Sequence, residues 1–284
     1  MKMKISNPSN PLSTMAKAFL AWKAKLSVTR AYLAFLCSSL RLLIRQAGDV
    51  PIRSLTPAII RRALAASPSV HTARHRFYAY KSFFQWAAGR HYLQRHPMSG
   101  LVPPVPPPTQ RISPYTSGEV RQILCTLKNP LDVVAAALAA FAGLRTGELI
   151  QFNAAQDLGD DRILINRGKG RQLRSVPISP ALNQWLAPLR ASPGAPPRRL
   201  PAPSAVRRHG KLHGLPIEFH RLRLTFLAYR FAITGDLGLT AHEAGIVSPL
   251  YRDILHRDVA EAKRFWDLTP ENCGRADWGE EVSE

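Results

Sequence analysis

Three short stretches hold the side chains that could do chemistry. In Phe219-His220-Arg221-Leu222-Arg223-Leu224-Thr225-Phe226, His220 and Arg223 are three apart, so on a helix they share one face and reach one ligand. In Ala142-Gly143-Leu144-Arg145-Thr146-Gly147-Glu148-Leu149, Arg145 and Glu148 have the same spacing, which lets the carboxylate orient the guanidinium. In Arg167-Gly168-Lys169-Gly170-Arg171 a lysine sits at a glycine-flanked turn. Two guanidinium forks, a mobile ammonium and an imidazole that titrates near neutral pH are the side chains suited to a phosphate and to proton transfer at it.

The composition names the source of that phosphate. The 284 residues carry 39 Lys+Arg against 19 Asp+Glu, a formal charge of +20 and a pI near 10.8. Such a balance calls for a polyanionic partner bound through phosphate contacts and counterion release, with nucleic acid ahead of an anionic membrane surface. The charge is uneven: Asp49 is the only acid before Glu119, whereas Glu271, Asp277, Glu280, Glu281 and Glu284 face Arg275 alone in the tail. Cys37, Cys125 and Cys273 are odd in number, far apart and without a CxxC pair, which fits structural thiols in a reducing compartment rather than a disulfide framework or zinc site. No apolar run reaches the length of a membrane span and the first residues lack a signal-peptide core, so a cytoplasmic location is expected.

The elements that must position these groups follow from periodicity. Residues 1–12 read as a flexible leader. Helical spacing then predicts four helices, Met15–Trp22, Tyr32–Ala47, Ala58–Ala66 and Val70–Arg90, in a basic bundle spanning 13–100. Residues 101–113 contain Val102-Pro103-Pro104-Val105-Pro106-Pro107-Pro108, a semi-stiff connector, because proline fixes φ and cannot donate. The second domain, 114–270, opens with a capping box at Thr116–Glu119. An all-apolar helix at Leu131–Phe141 follows, then a hairpin of 162–166 and 174–178 with Ile163, Ile165, Val176 and Ile178 on one face. A helix at Ala181–Leu189, a loop at 192–204, a helix at Phe219–Thr234, a break at 235–238 and helices at 240–244 and 253–266 complete it, before an acidic tail at 271–284. The fold class is mainly α with one small β-hairpin.

Taken in order, GLRTGEL, the Gly-flanked lysine and HRLRLTF resemble the catalytic domain of the tyrosine recombinase (phage integrase) family, and the basic bundle resembles its N-terminal core-binding domain. The resemblance implies a site-specific recombinase or integrase that cuts and rejoins duplex DNA through a 3′-phosphotyrosyl intermediate without metal or other cofactor, as a homo-oligomer, a tetramer, on DNA. It implies Arg145 and Arg223 as the phosphate arginines, Glu148 as the acid orienting Arg145, Lys169 as the proton donor to the departing 5′ oxygen and His220 as the assisting imidazole. Arg30, Arg74, Arg76, Lys81, Arg171 and Arg174 are the further cations expected on DNA.

Two positions depart from the pattern. Where the family shows Gly-His or Gly-Trp this chain has Gly245-Ile246, and the usual spacing to the nucleophile lands on Leu255 or His256. The nearest tyrosine, Tyr251, lies in Tyr251-Arg252-Asp253-Ile254-Leu255, which resembles the string around the nucleophile in phage-type integrases, and is the expected nucleophile. Ile246 can neither donate nor titrate, so a recombinase fold that binds DNA without cutting it is the alternative. A second alternative is a basic RNA- or DNA-binding structural protein, with Phe77, Tyr78, Tyr80, Phe83, Phe84 and Trp86 interleaved among Arg74, Arg76 and Lys81 as a stacking surface.

Overall fold

Ser, Thr, Asn or Asp side chains just before apolar-periodic runs cap most of the described helix starts. The computed structural model describes residues 10–107, 112–166, 173–190, 199–246, 258–275 and 278. The chain divides into two compact units between Gln110 and Arg111.

The first unit packs α1 (Leu12–Ala24), α2 (Arg30–Ala47), α3 (Pro57–Ala65) and α4 (Val70–Ala88) around one core. The side chains of Thr29, Thr56 and Ser69 accept from Tyr32, Ile59 and Thr72 backbone N–H groups and cap the last three helices. Pro11 cannot cap α1. Asp49 does so from the end of α2, accepting from Ser13 N at 2.8 Å and Ser13 Oγ at 2.7 Å, and these bonds hold its carboxyl below the usual range. The one acid of this unit is thus committed to a helix end.

Phe77, Tyr80, Phe83, Phe84 and Trp86 of α4 are buried, Tyr80 donating to Ser39 O at 3.1 Å, and only Tyr78 is exposed. The aromatic stacking surface therefore does not exist: helical spacing directs those rings into the bundle, where each contributes burial on the order of 1.5–3 kcal/mol.

The second unit is built on α6 (Pro130–Phe141), whose residues from Asp132 to Phe141 are all buried. Its alanines keep it thin, so α5 (Ser117–Thr126), α9 (Pro180–Trp185), α11 (Pro203–Leu212) and α12 (Phe219–Thr234) pack on it from several sides. Short helices α7 (Thr146–Gln151), α8 (Ala154–Asp157) and α10 (Ala187–Arg190) fill the connections, and α13 (Leu237–Ala244) and α14 (Val259–Trp266) follow α12. Strands β1 (Arg162–Ile165) and β2 (Arg174–Pro177) pair antiparallel with Ile163 opposite Val176, both fully buried.

Two expectations change. Residues 203–212 form a helix, α11, where a loop was predicted through 204; Pro203 sits at its first turn, a position that needs no N–H. The break after α12 is shorter than 235–238, because the Asp236 side chain accepts from Leu239 N and starts α13 at Leu237. Among the described residues no helix is long and apolar enough to cross a membrane.

The segment before α5 is fastened along α12. Tyr115 N donates to Thr225 Oγ1 at 2.8 Å, Tyr229 Oη donates to Tyr115 O at 2.9 Å, and the Arg221 guanidinium lies 3.8 Å from the Tyr115 ring centroid while its Nη2 donates to Glu119. Within His220–Phe226, then, Arg221 and Thr225 hold the frame and leave His220 and Arg223 for the site.

Candidate active site

The site is organised by the end of α13. Gly245 adopts φ +63°, Ile246 N donates to Ala241 O at 2.8 Å and Gly245 N to His242 O at 2.8 Å, the paired bonds of a Schellman cap. This cap satisfies the carbonyls of residues 241 and 242 and leaves those of 243, 244 and 245 at the negative end of the helix dipole. Three arginines from three different elements take them. Arg174 Nε donates to Glu243 O at 2.8 Å, Arg223 Nη2 to Ala244 O at 2.6 Å, and Arg145 Nη2 to Gly245 O.

Glycine is required at 245 twice over. Its φ is left-handed, and a Cβ there would stand 3.0 Å from Arg174 Cδ and Nη1 and 3.1 Å from Arg145 Nη1.

Glu148 is the second organiser. It is buried, accepts both Nη groups of Arg174 at 2.7 Å each, and also accepts Arg145 Nη1 at 2.8 Å and Arg145 N at 2.7 Å. Burial alone would raise its carboxyl, but the hydrogen bonds from Arg174 and from the Arg145 N–H outweigh it and hold the group at about 2. The site therefore contains a permanent carboxylate that bridges two arginines, as the spacing of Arg145 and Glu148 led us to expect for one of them.

The HRLRLTF helix enters from the other side. Arg223 is buried, and its Nη1 donates to Gly143 O just ahead of Arg145, so the two arginine stretches meet at the backbone of Gly143. Gly143 has φ +62°, and a Cβ there would stand 2.5 Å from Phe226 Cδ1. His220 is exposed on the first turn of α12; burial of its ring surroundings and then the Arg223 charge lower its pKa, so the imidazole is neutral at pH 7. Arg145 keeps 30% of its side chain exposed, which leaves it the accessible guanidinium of the pair, whereas Arg223 is buried.

Solved structures share this architecture. The chain is similar to a lambda integrase dimer bound to a COC′ core site, with a TM-score of 0.71 at 19% identity over 89% of this chain and 78% of that one. It is similar to a lambda integrase tetramer bound to a Holliday junction, at 0.70 and 19% over 87% and 82%. It is also similar to the Tn1549 transposon integrase in complex with circular intermediate DNA, at 0.65 and 16% over 90% and 99%. The fold is an integrase fold. No protein-family model and no curated protein matches the sequence.

On that fold the expected site residues divide. Arg145, Glu148 and Arg223 come together around the end of α13, and His220 lies one helical turn before Arg223, close enough to feel its charge. Lys169, Arg171, Tyr251 and His256 lie outside the described residues. Arg174 is corrected: expected on DNA, it is 3% exposed and each of its three nitrogens is bonded within the protein. The hairpin's period of two carries the signal, since Arg174 shares parity with the buried Val176 and so points inward.

Ile246 is the hydrophobic residue that follows a Schellman glycine and packs against the core, which gives this departure a structural reason. Arg30 and Lys81 are exposed; Arg74 donates to Pro104 O at 3.3 Å and Arg76 to Ser67 Oγ at 3.0 Å, so both are partly engaged in their own unit. Sequence reading missed Glu243, which is buried and receives Arg230 through two bonds of 2.7 and 2.8 Å, fixing α13 to α12. Nothing in its spacing marks it.

Proposed function

We propose that this protein belongs to the tyrosine recombinase family and cuts and rejoins duplex DNA. Tyr251 Oη attacks the scissile phosphorus, the 5′ oxygen leaves with a proton from Lys169, and the 3′-phosphotyrosyl link is later reversed by a 5′ hydroxyl. Arg145 and Arg223 neutralise the charge that builds on the non-bridging oxygens, and neutral His220 donates or accepts a proton beside them. The observation that supports this reading is the convergence of Arg145 and Arg223, distant in sequence, on adjacent carbonyls of one helix end, with Glu148 holding Arg145 in place. The integrase fold and the charge of +20 agree with duplex DNA as partner, and assembly on it as a tetramer and a cytoplasmic location belong to the same proposal.

A second reading, a DNA-binding protein that does not cut, is favoured by one observation. Ile246 is bound into the α13 cap and offers no side-chain donor where a His or Trp is expected. Supercoiled plasmid separates the two. The parent protein should form SDS-resistant protein–DNA adducts that disappear in Tyr251→Phe and fall by about 100-fold or more in Arg145→Ala. Salt-sensitive binding with no adduct from the parent would sink the recombinase reading and leave the second.

A further inference from the structure

Helix α5 holds the C-terminal part of the chain through three positions four residues apart. Ser117 N donates to Glu261 Oε1 at 2.6 Å, Arg121 Nη2 and Nε donate to Asn272 O at 2.9 and 3.2 Å, and Cys125 O accepts from Arg275 Nη2 at 3.3 Å. Positions four apart lie on one face of a helix, so the Cys125 side chain follows that of Arg121 along the docking face. Opposite it runs a tight 3-10 turn, Glu271–Cys273. The two clamps hold Asn272 and Arg275 to α5, which brings the turn carrying Cys273 against that helix beside Cys125.

The chemistry of the two thiols agrees with that placement. Both are half-buried. Burial first, and then the neighbouring Cys125, push the Cys273 thiol up to about 12. Among the described residues no group of three or more His, Cys, Asp or Glu forms a metal site, so the pair lacks the further ligands that a zinc ion would need. Cys37 stands apart on α2, in the other unit.

We propose that Cys125 and Cys273 form a reversible intramolecular disulfide, a modification site that takes a low-molecular-weight disulfide as its oxidant and fastens the C-terminal turn covalently to α5. The Cys125 thiolate attacks one sulfur of the small disulfide and expels one small thiol. Cys273 then attacks the mixed disulfide at Cys125 and expels the second. Two electrons and two protons pass from the protein thiols to the two small thiols released, and excess dithiol reverses both steps. The bond closes a loop through about half of the chain and turns a docking held by hydrogen bonds into a fixed one.

The test is peptide mapping without reduction after the whole protein is treated with oxidised glutathione at pH 8.5, followed by alkylation of the remaining thiols. The expected product is one linked pair of peptides containing Cys125 and Cys273, with Cys37 in no cross-link, and dithiothreitol should restore both thiols. The link should persist in Cys37→Ser and vanish in Cys125→Ser and Cys273→Ser. Oxidised parent should also unfold about 5 °C or more above reduced parent, a shift absent in Cys273→Ser. Separate glutathione adducts on Cys125 and Cys273, untouched thiols at both, or a link through Cys37 would each overturn the proposal.

Discussion

Replacing Glu148 by glutamine removes one charge and should break the site from inside. The carboxylate is 4% exposed and the Arg174 side chain facing it 2%, so the guanidinium left behind has no route to water. Taking one partner from a buried pair costs about 3–5 kcal/mol. The fall of the Glu148 carboxyl from 4.5 to about 2 gives a second measure, on the order of 3 kcal/mol, and the two agree. Arg174→Met should cost a similar amount, because Glu148 then keeps only the partly exposed Arg145.

Removing both charges with Glu148→Leu and Arg174→Met should cost less than the sum by about 2 kcal/mol, since no buried charge is then left alone. Urea unfolding, combined with hydrogen exchange of peptides from α6 and α12, reads the stability of this unit separately from the helical bundle. A cost below about 1 kcal/mol for Glu148→Gln, or strict additivity in the cycle, would refute the bridging role. The pH dependence has a definite sign. The folded carboxyl lies below its unfolded value, so its stabilisation is complete above about pH 4.5 and disappears as pH falls toward 2, and Glu148→Gln abolishes this slope.

Gly143→Ala should destabilise the second unit by about 2–4 kcal/mol in the same unfolding assay, because a left-handed φ and a Cβ 2.5 Å from the Phe226 ring must both be relieved. His220 is lowered by burial and by Arg223, so its protonation opposes folding and stability should decline as pH drops below about 6.5. A bound phosphodiester should reverse that preference, so DNA affinity at constant ionic strength should rise as pH falls through this range and lose the rise in His220→Gln, as read by fluorescence anisotropy. Removing the exposed Lys81 or Arg30 should each reduce the log–log salt slope of DNA binding by about 0.9, whereas buried Arg174→Met should leave the slope unchanged.

Much of this molecule is legible from local rules. Caps at Thr29, Thr56, Ser69 and Thr116 and the apolar period of α2, α4 and α12 mark helices with nothing but neighbours in sequence, because a helix end and a helix face are each completed within a few residues. The same holds for His220 with Arg223, three apart on α12, and for Arg145 with Glu148, the N-cap and third residue of α7, where the carboxylate accepts from the Arg145 N–H.

What the sequence could not say is where an exposed-looking charge ends up. Arg174 reads as a surface cation until β2 is laid against β1 and its parity turns it inward, onto a carboxylate that comes from α7 and a carbonyl that comes from α13. Ile246 reads as a lost catalytic group until the α13 cap gives it a place in the core. Sequence alone settled the residue types and their local faces, for which hydrogen bonds and periodicity within one element suffice. Tertiary structure alone decided that three arginines share one helix end, because the carbonyls that bind them are left unpaired by a turn far from any of those arginines in the chain, and only folding brings donor and acceptor within 3 Å.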